Sequence, residues 1–209
     1  MRQLVIIGAG GLGRELLDII EAINEQSPTY EVLGFLDDAR GHEDLVTQRN
    51  MRVLGPVDTL ASMKVDYIIG IGAAATRRRI DALATELGRQ PASAIHPAAS
   101  MGSNNTIGPG AIIAAGARLT TNITLARHVQ VHANATIGHD THLHDYVTVL
   151  PGANVGGAVT LCSDVTIGSG AIVIQGLAIG RLTTVGAGGV VVRDLPEGVT
   201  AVGSPARPL

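Results

Sequence analysis

Histidines are concentrated in one part of this chain, and one of them stands beside an aspartate. Of the seven histidines, the window 128–144 holds His128, His132, His139, His142 and His144. An imidazole next to a carboxylate can act as a general base, because the carboxylate favours the imidazolium that forms when the ring takes up a proton. His139 and Asp140 are therefore candidates for catalysis. The alternative is that both side chains only solvate a corner of the fold.

The elements that position this pair follow from a repeat of six residues. Every sixth residue from Ile95 onward is aliphatic: Ile95, Met101, Ile107, Ile113, Leu119, Leu125, Val131, Ile137, Leu143, Val149, Val155, Leu161, Ile167, Val173, Ile179, Val185 and Val191. A period of six fits neither a helix face nor a simple strand face. It is typical of a parallel β-helix, in which each hexapeptide forms a short strand and a corner, and three hexapeptides form a coil. In this frame His139 and Asp140 take the third and fourth positions of a hexapeptide, which point outward.

The first 91 residues contain no hexapeptides and alternate between strand and helix patterns. The apolar pattern predicts strands at 4–7, 31–36 and 67–71 and helices at 14–23 and 76–87. Glycines at 8, 10, 11 and 13 lie between the first strand and the first helix, which is the context that a phosphate-binding turn requires. We therefore expect a small Rossmann-like parallel α/β sheet in residues 1–91 and a β-helix in residues 92–209. Arg77, Arg78 and Arg79 are expected on a solvated helix face, with attraction of phosphate as the alternative.

Composition limits the classes of function. A net charge of −3 argues against general binding of nucleic acid, and one Phe, three Tyr and no Trp leave few platforms for stacking bases. The single cysteine, Cys162, suits a reducing compartment. No apolar run reaches transmembrane length, and the amino-terminal residues read as a strand instead of a signal peptide. We therefore expect a cytoplasmic protein that does not insert into membranes.

Zinc binding and nicotinamide dinucleotide binding are two other chemistries that use residues of these types. His139 and His144 are five residues apart, like a histidine pair in the zinc site of gamma-class carbonic anhydrases, but Ser103 stands two coils before His139 where a third histidine is needed. The glycine turn also has a form like that of nicotinamide oxidoreductases, yet 91 residues hold only about half of a full dinucleotide fold. The sequence therefore predicts neither a metal site nor a dinucleotide.

Taken together, the motifs resemble one family along the whole chain. They are the glycine-rich α/β domain, Phe35-Leu36-Asp37-Asp38, Ile71-Gly72, His139-Asp140 and the carboxyl-terminal Val202-Gly203-Ser204-Pro205-Ala206. This order is similar to that of the sialic acid O-acetyltransferase (NeuD-like) family of hexapeptide-repeat acetyltransferases, which includes bacterial N-acetyltransferases of nucleotide-linked 4-amino sugars. The resemblance implies a left-handed β-helix, a homotrimer with sites between subunits, and direct transfer from acetyl-CoA in bacterial glycan or surface polysaccharide biosynthesis.

The resemblance also implies roles for individual residues. His139 would be the general base and Asp140 the acid beside it. The nucleotide-linked sugar would be bound by Gly10, Gly11, Leu12, Asp37, Asp38 and Gly72. Acetyl-CoA would be bound by Thr148, Ser169 and Ala187, the last two eighteen residues apart and so stacked on one face.

The chain departs from the family pattern at several of these positions, and the departures leave the acceptor open. Thr148 and Leu12 stand where some members carry histidine, and Ala73-Ala74-Ala75 replaces asparagines that follow the pocket glycine in others. The expected reaction is N-acetylation of a nucleotide-linked amino sugar. The alternatives are O-acetylation of a sialic acid or related sugar, a zinc hydratase like the gamma-class carbonic anhydrases, or binding of a sugar nucleotide without catalysis.

Overall fold

The protein consists of two compact units. A computed structural model describes residues 1–39 and 41–209, and it divides them into Met1–Ala94 and Ile95–Leu209. Within the described residues no helix combines the length and apolar character needed to cross a membrane.

The amino-terminal unit is built on four parallel strands in the order β3-β2-β1-β4. The strands are β1 (Arg2–Ile7), β2 (Tyr30–Leu36), β3 (Val53–Gly55) and β4 (Asp66–Ile69). The helices are α1 (Gly11–Gln26), α2 (Glu43–Thr47), a 3₁₀ helix (Val57–Ser62) and α3 (Ala74–Glu86). Residues 4–7 of β1 are wholly buried, as expected for the centre of a parallel sheet covered on both faces.

The turn between β1 and α1 depends on a close approach of two backbone segments. A Cβ added at Gly13 would lie 1.8 Å from the carbonyl oxygen of Gly8, and a Cβ added at Gly70 would lie 2.6 Å from the Cα of Gly13. No side chain fits at either position, so the start of α1 packs directly on the ends of β1 and β4. This packing brings the amino end of α1 to the carboxyl edge of the sheet, where ligands bind in α/β folds.

The carboxyl-terminal unit is a prism of very short parallel strands with three faces. Up to residue 191, successive strands along the chain fall on face 1, face 2 and face 3 in turn, and each strand pairs with the strand eighteen residues away. Face 1 contains β5 (Ala94–Ile95), β8 (Ile112–Ile113), β11 (Gln130–Val131), β14 (Thr148–Val149), β17 (Thr166–Ile167), β20 (Thr184–Val185), β22 (Thr200–Val202) and the antiparallel β23 (Arg207–Pro208). Face 2 contains β6 (Ser100–Met101), β9 (Arg118–Leu119), β12 (Thr136–Ile137), β15 (Asn154–Val155), β18 (Ile172–Val173) and β21 (Val190–Val191). Face 3 contains β7 (Thr106–Ile107), β10 (Thr124–Leu125), β13 (His142–Leu143), β16 (Thr160–Leu161) and β19 (Ala178–Ile179).

The aliphatic first positions fill the interior of the prism. From Ile113 to Val191 every one of them is at most 2% exposed, and the small or apolar fifth positions, such as Ala135 and Val147, are buried beside them. Stacking of like positions on successive coils explains why the repeat is so strict, since an interior this narrow admits only aliphatic and small side chains.

The fourth position of the hexapeptides turns the corner with a positive φ. Along the corner between faces 2 and 3 this position is filled by Asn104 (φ 60°), Asn122 (φ 59°), Asp140 (φ 58°), Ala158 (φ 54°) and Gly176 (φ 76°). Asn and Asp are the non-glycine residues that enter this region most readily. The first three of these coils therefore present short polar side chains on this corner, at Asn104, Asn122 and Asp140.

The last coil is shorter than the others. Thr184 pairs with Thr200 and Val185 with Ala201, a spacing of sixteen residues in place of eighteen. The coil is shortened by two residues after β21, the last strand of the unbroken hexapeptide series.

Candidate active site

His139 and Asp140 lie on the corner between faces 2 and 3, in the turn from β12 to β13. Their side chains meet: Nδ1 of His139 is 2.7 Å from Oδ2 of Asp140. The other carboxylate oxygen, Oδ1, accepts a hydrogen bond of 2.5 Å from the side-chain amide of Asn122, one coil earlier on the same corner. The carboxylate is thus held from two sides and aimed at the imidazole.

These hydrogen bonds indicate which ring nitrogen of His139 carries the shared proton. The hydrogen bonds from Asn122 and then from His139 lower the pKa of Asp140 below its ordinary value. An ionised carboxylate can only accept, so Nδ1 of His139 carries the proton that is shared with it. In the neutral ring Nε2 is then the unprotonated nitrogen and can accept a proton from a substrate.

The imidazole lies against the next coil, at Gly157. A Cβ added at Gly157 would be 2.6 Å from Nε2 of His139 and 2.7 Å from its Cε1. Only a residue without a side chain leaves the ring in this place. The side chain of His139 is 59% exposed, so a substrate can reach it from solvent.

A second cluster of predicted residues surrounds a cavity in the amino-terminal unit. The cavity has a volume of about 340 Å³ and is lined by Gly8, Gly10, Gly11, Leu12, Asp37, His42, Gly70, Ile71 and Gly72. The structure therefore brings the consecutive residues Gly10, Gly11 and Leu12 together with Asp37 and Gly72, which are distant from them in the sequence. Asp38 is outside this lining, and its Oδ1 accepts a hydrogen bond from the backbone N–H of Val57 at the start of the 3₁₀ helix.

Asp37 is the most strongly held group of this cavity. Its Oδ2 accepts from the backbone N–H of Ala9 at 2.8 Å and lies 3.1 Å from Nδ1 of His42, and its Oδ1 accepts from the backbone N–H of Ala39 at 2.9 Å. Partial burial would raise the pKa of Asp37, but the hydrogen bonds from Ala39, Ala9 and His42 outweigh it and lower the pKa. The carboxylate fastens the glycine turn to the end of β2.

Two helices begin at this cavity without side-chain caps. Neither Gly10 before α1 nor Ala73 before α3 caps its helix through a side chain, and neither helix has an acidic residue in its first turn. Free backbone N–H groups and the positive end of the helix dipole favour an anion there. The arrangement suits a phosphate group.

Arg77 donates hydrogen bonds to the backbone at the rim of the same cavity. The sequence predicted a solvated side chain, but Arg77 is wholly buried, and its NH1 nitrogen donates to the carbonyl oxygens of Gly72 (2.6 Å) and Ile71 (3.2 Å). That prediction was wrong for Arg77 because it treated three consecutive arginines as one surface, whereas neighbouring residues of a helix face different sides. Arg79 is exposed, as predicted.

The histidine window does not assemble a metal site in the described residues. No group of three or more His, Cys, Asp or Glu side chains among them could hold an ion. His128 is buried and stacks on Tyr146, with ring centroids 5.7 Å apart. His142 is exposed on face 3.

Comparisons with known proteins identify the family of this chain. A family model described as the PglD N-terminal domain matches residues 3–82. The acetyltransferase domain of PglB from Neisseria gonorrhoeae FA1090, solved in complex with acetyl coenzyme A, is 33% identical, with coverage of 100% of this chain and 99% of that chain and a TM-score of 0.91. The chain belongs to the NeuD-like family of hexapeptide-repeat acetyltransferases. No protein in the curated set matches the sequence.

Two further members of the family share the whole architecture. GDP-perosamine N-acetyltransferase (PerB) from Caulobacter crescentus, solved with CoA and GDP-perosamine, is 28% identical over 99% of this chain and 97% of that chain, with a TM-score of 0.90. WeeI from Acinetobacter baumannii AYE is 26% identical over the full length of both chains, with a TM-score of 0.87. These matches confirm the predicted fold: a small parallel α/β sheet followed by a left-handed β-helix of hexapeptide repeats.

The residues that the family resemblance assigns to acetyl-CoA are not beside His139 in the chain. Ser169 and Ala187 are exposed on the corner between faces 1 and 2, one above the other, with the N–H of Gly188 donating to the carbonyl oxygen of Ser169. His139 lies on the corner between faces 2 and 3, so the two groups occupy different edges of one prism. Thr148, in β14 on face 1, is only 1% exposed.

Three residues of these sites were not singled out from the sequence. Asn122 and Gly157 contact Asp140 and His139, and each lies eighteen residues from the residue that it contacts. The coil period therefore contained the signal needed to find them. His42 has no such signal, because no repeat relates it to Asp37 and it reaches the cavity only through tertiary structure.

Proposed function

We propose that this protein transfers the acetyl group of acetyl-CoA to the amino group of a nucleotide-linked amino sugar, with His139 as the general base. The observation that carries the proposal is the His139–Asp140 pair, whose hydrogen bond leaves Nε2 as the unprotonated nitrogen. The activities named for PglB and PerB support acetyl-CoA as the donor and a sugar nucleotide as the acceptor, in bacterial glycan or surface polysaccharide biosynthesis.

The reaction requires one proton to be removed from the acceptor. The amine nitrogen attacks the thioester carbon, a C–N bond forms, and the C–S bond breaks. Nε2 of His139 takes the proton that the nitrogen loses, and the proton passes to the sulfur of the leaving coenzyme. Asp140 stabilises the imidazolium that exists between these two events. The N-acetylated sugar nucleotide and free CoA are the products, and no acyl-enzyme is required.

The cavity of the amino-terminal unit is the proposed site of the nucleotide. Gly10, Gly11 and Leu12 would meet the phosphates at the start of α1, where free N–H groups favour an anion. Asp38, whose Oδ1 accepts from the backbone N–H of Val57, would accept from the base or ribose through Oδ2, which lies 3.9 Å from NH2 of Arg79. Gly72 lies at the rim, and a Cβ added there would meet nothing within 4 Å, so ligand atoms can approach the backbone closely.

A homotrimer is the proposed assembly, and the positions of the predicted groups support it. The corner with Ser169 and Ala187 would belong to one subunit and the corner with His139 to its neighbour, so that acetyl-CoA lies between them. Face 2 separates the two corners. On its last two coils this face exposes aliphatic residues, with Ile172 41%, Ile174 42% and Val192 43% exposed. An apolar patch of this kind is expected to be covered by a protein partner.

A coenzyme-release assay tests the function. Acetyl-CoA is mixed with a panel of 4-amino sugars linked to UDP, GDP or dTDP, and free thiol is followed with time. We expect release with one carrier and none without acceptor. No release on the amino-sugar panel, with acetyl-CoA binding intact by calorimetry, would contradict N-acetylation and direct the assay to hydroxyl acceptors such as CMP-linked or free sialic acids.

His139→Ala identifies the base in the same assay. We expect turnover to fall by roughly 10²- to 10⁴-fold, the usual contribution of general base catalysis, while nucleotide binding is unchanged. His142→Ala removes an exposed histidine three residues away and is the matched control, with turnover close to that of the unchanged protein. Full activity of His139→Ala would refute the assignment of the base.

A further inference from the structure

The described residues that line the nucleotide cavity contain no arginine or lysine for a ligand that carries a diphosphate. Seven of the described lining residues are glycine, leucine or isoleucine at the glycine turn and the rim, and Asp37 is itself anionic. Among the described lining residues, His42 is the one whose side chain can carry a positive charge. Its role is not explained by the fold, since it neither caps α2 through its side chain nor lies in the buried core.

The geometry of His42 leaves one ring nitrogen for a ligand. Nδ1 is 3.1 Å from Oδ2 of Asp37, and Asp37 is ionised, so Nδ1 carries the shared proton. Nε2 therefore remains to meet a ligand, and the side chain is 33% exposed. A Cβ built at Gly10 would be 4.0 Å from Cε1 of His42, so the imidazole stands beside the amino end of α1.

Most hydrogen-bond acceptor positions of Asp37 are occupied by His42 and by nearby backbone N–H groups, so few are left for a ligand. Oδ2 already accepts from the N–H of Ala9 and from His42, and Oδ1 accepts from Ala39. One acceptor position, on Oδ1, is left for a ribose or a base. With this carboxylate on one side of the ring, the other side is left to face an anionic ligand.

We propose that His42 is a specificity-determining residue of the acceptor site, donating a hydrogen bond from Nε2–H to the diphosphate of the sugar nucleotide, with Asp37 as its counter-ion. The inference rests on the proposed function of this cavity. His42 adds a donor from a segment after β2 to the backbone N–H groups at the start of α1. The anion is then held from two elements, and a ligand with a nucleoside alone lacks this contact.

Paired probes separate this role from a structural one. The affinities of UDP, GDP and dTDP and of uridine, guanosine and thymidine are measured by calorimetry for the unchanged protein and for His42→Ala. We expect His42→Ala to weaken binding of the preferred nucleoside diphosphate tenfold or more, the usual effect of losing a hydrogen bond to a charged group. Binding of the matching nucleoside should change less than twofold. His42→Gln, whose amide can still donate, should recover part of the loss.

Lys64→Ala is the matched control, because it removes an exposed side-chain cation of the same unit from a different cavity, lined by Arg2, Lys64 and Arg89 among others. It should leave both affinities unchanged. Equal weakening of diphosphate and nucleoside by His42→Ala would overturn the proposal and assign His42 to positioning Asp37. Unchanged diphosphate affinity would overturn it as well, while thiol release in the coenzyme assay would show that the proposed function survives.

Discussion

The lack of a side chain at Gly157 is expected to be required for catalysis by His139. In Gly157→Ala the new Cβ would be placed 2.6 Å from Nε2, whereas ordinary contacts begin at about 3.4 Å. The imidazole must therefore move by roughly 0.8 Å or rotate away. Because a misplacement of about 1 Å can cost on the order of 10²-fold in rate, we expect kcat to fall by about that factor.

The same change should cost little stability. Gly157 does not have a positive φ, and the group that blocks the Cβ is a side chain that is 59% exposed and free to turn toward solvent. We expect the free energy of unfolding to change by about 1 kcal/mol or less. Thermal melting and the coenzyme-release assay, on the same preparation, measure the two quantities.

Gly156→Ala is a matched control with the opposite outcome. Its Cβ would meet the backbone N of Gln175 at 2.6 Å, and a backbone atom of the next coil cannot move aside. Gly156→Ala should lower the melting temperature clearly. In the His139→Ala background, Gly157→Ala should cause no further loss of rate, because the group that it displaces is gone. Full activity of Gly157→Ala, or a further loss in that background, would refute the reasoning.

Three other predictions follow from the structure. Asn122→Ala removes the amide that holds Asp140, so kcat should fall, but by less than the roughly 10²- to 10⁴-fold of removing the base, with the KM for acetyl-CoA unchanged. The pKa of Asp37 is lower in the folded protein than its ordinary value. The ionised carboxylate therefore stabilises the fold at pH values above the ordinary pKa, and this stability is lost as the pH falls through the pKa of the folded protein. The melting temperature of Asp37→Asn should depend less on pH below about pH 5 than that of the unchanged protein. Ile174→Glu should dissociate the proposed trimer, which sedimentation of both proteins at equal concentration would detect; an unchanged trimer would contradict the role of face 2.

The β-helix could be predicted almost completely because its interior is a one-dimensional lattice. A position such as Ile137 contacts Leu119 and Val155 through a fixed spacing, so one apolar pattern determines the strand, its partners and its face. The amino-terminal unit was predicted less closely at its edges. The first helix begins at Gly11 and not at Arg14, since the glycine turn itself supplies the first helical residues.

The candidate pair His139 and Asp140 could be identified from the sequence, whereas the residues around it could be identified only in part. Adjacency of His139 and Asp140 does not show a contact, and the hydrogen bond depends on the positive φ of Asp140, which turns its side chain at the corner. The burial of Arg77 and the approach of His42 to Asp37 depend on how helices and loops pack on a sheet. No local pattern fixes that packing.

The shortened last coil bears on how this unit tolerates insertions and deletions. Every internal coil must keep eighteen residues, because losing one residue would turn all later aliphatic positions to the wrong side of the strand. The spacing of sixteen between Thr184 and Thr200 occurs where only β22 and β23 follow, so few partners must stay in step. Length changes should therefore be accepted at the carboxyl-terminal end, or as bulges at corners, and a grafted tag or loop belongs there.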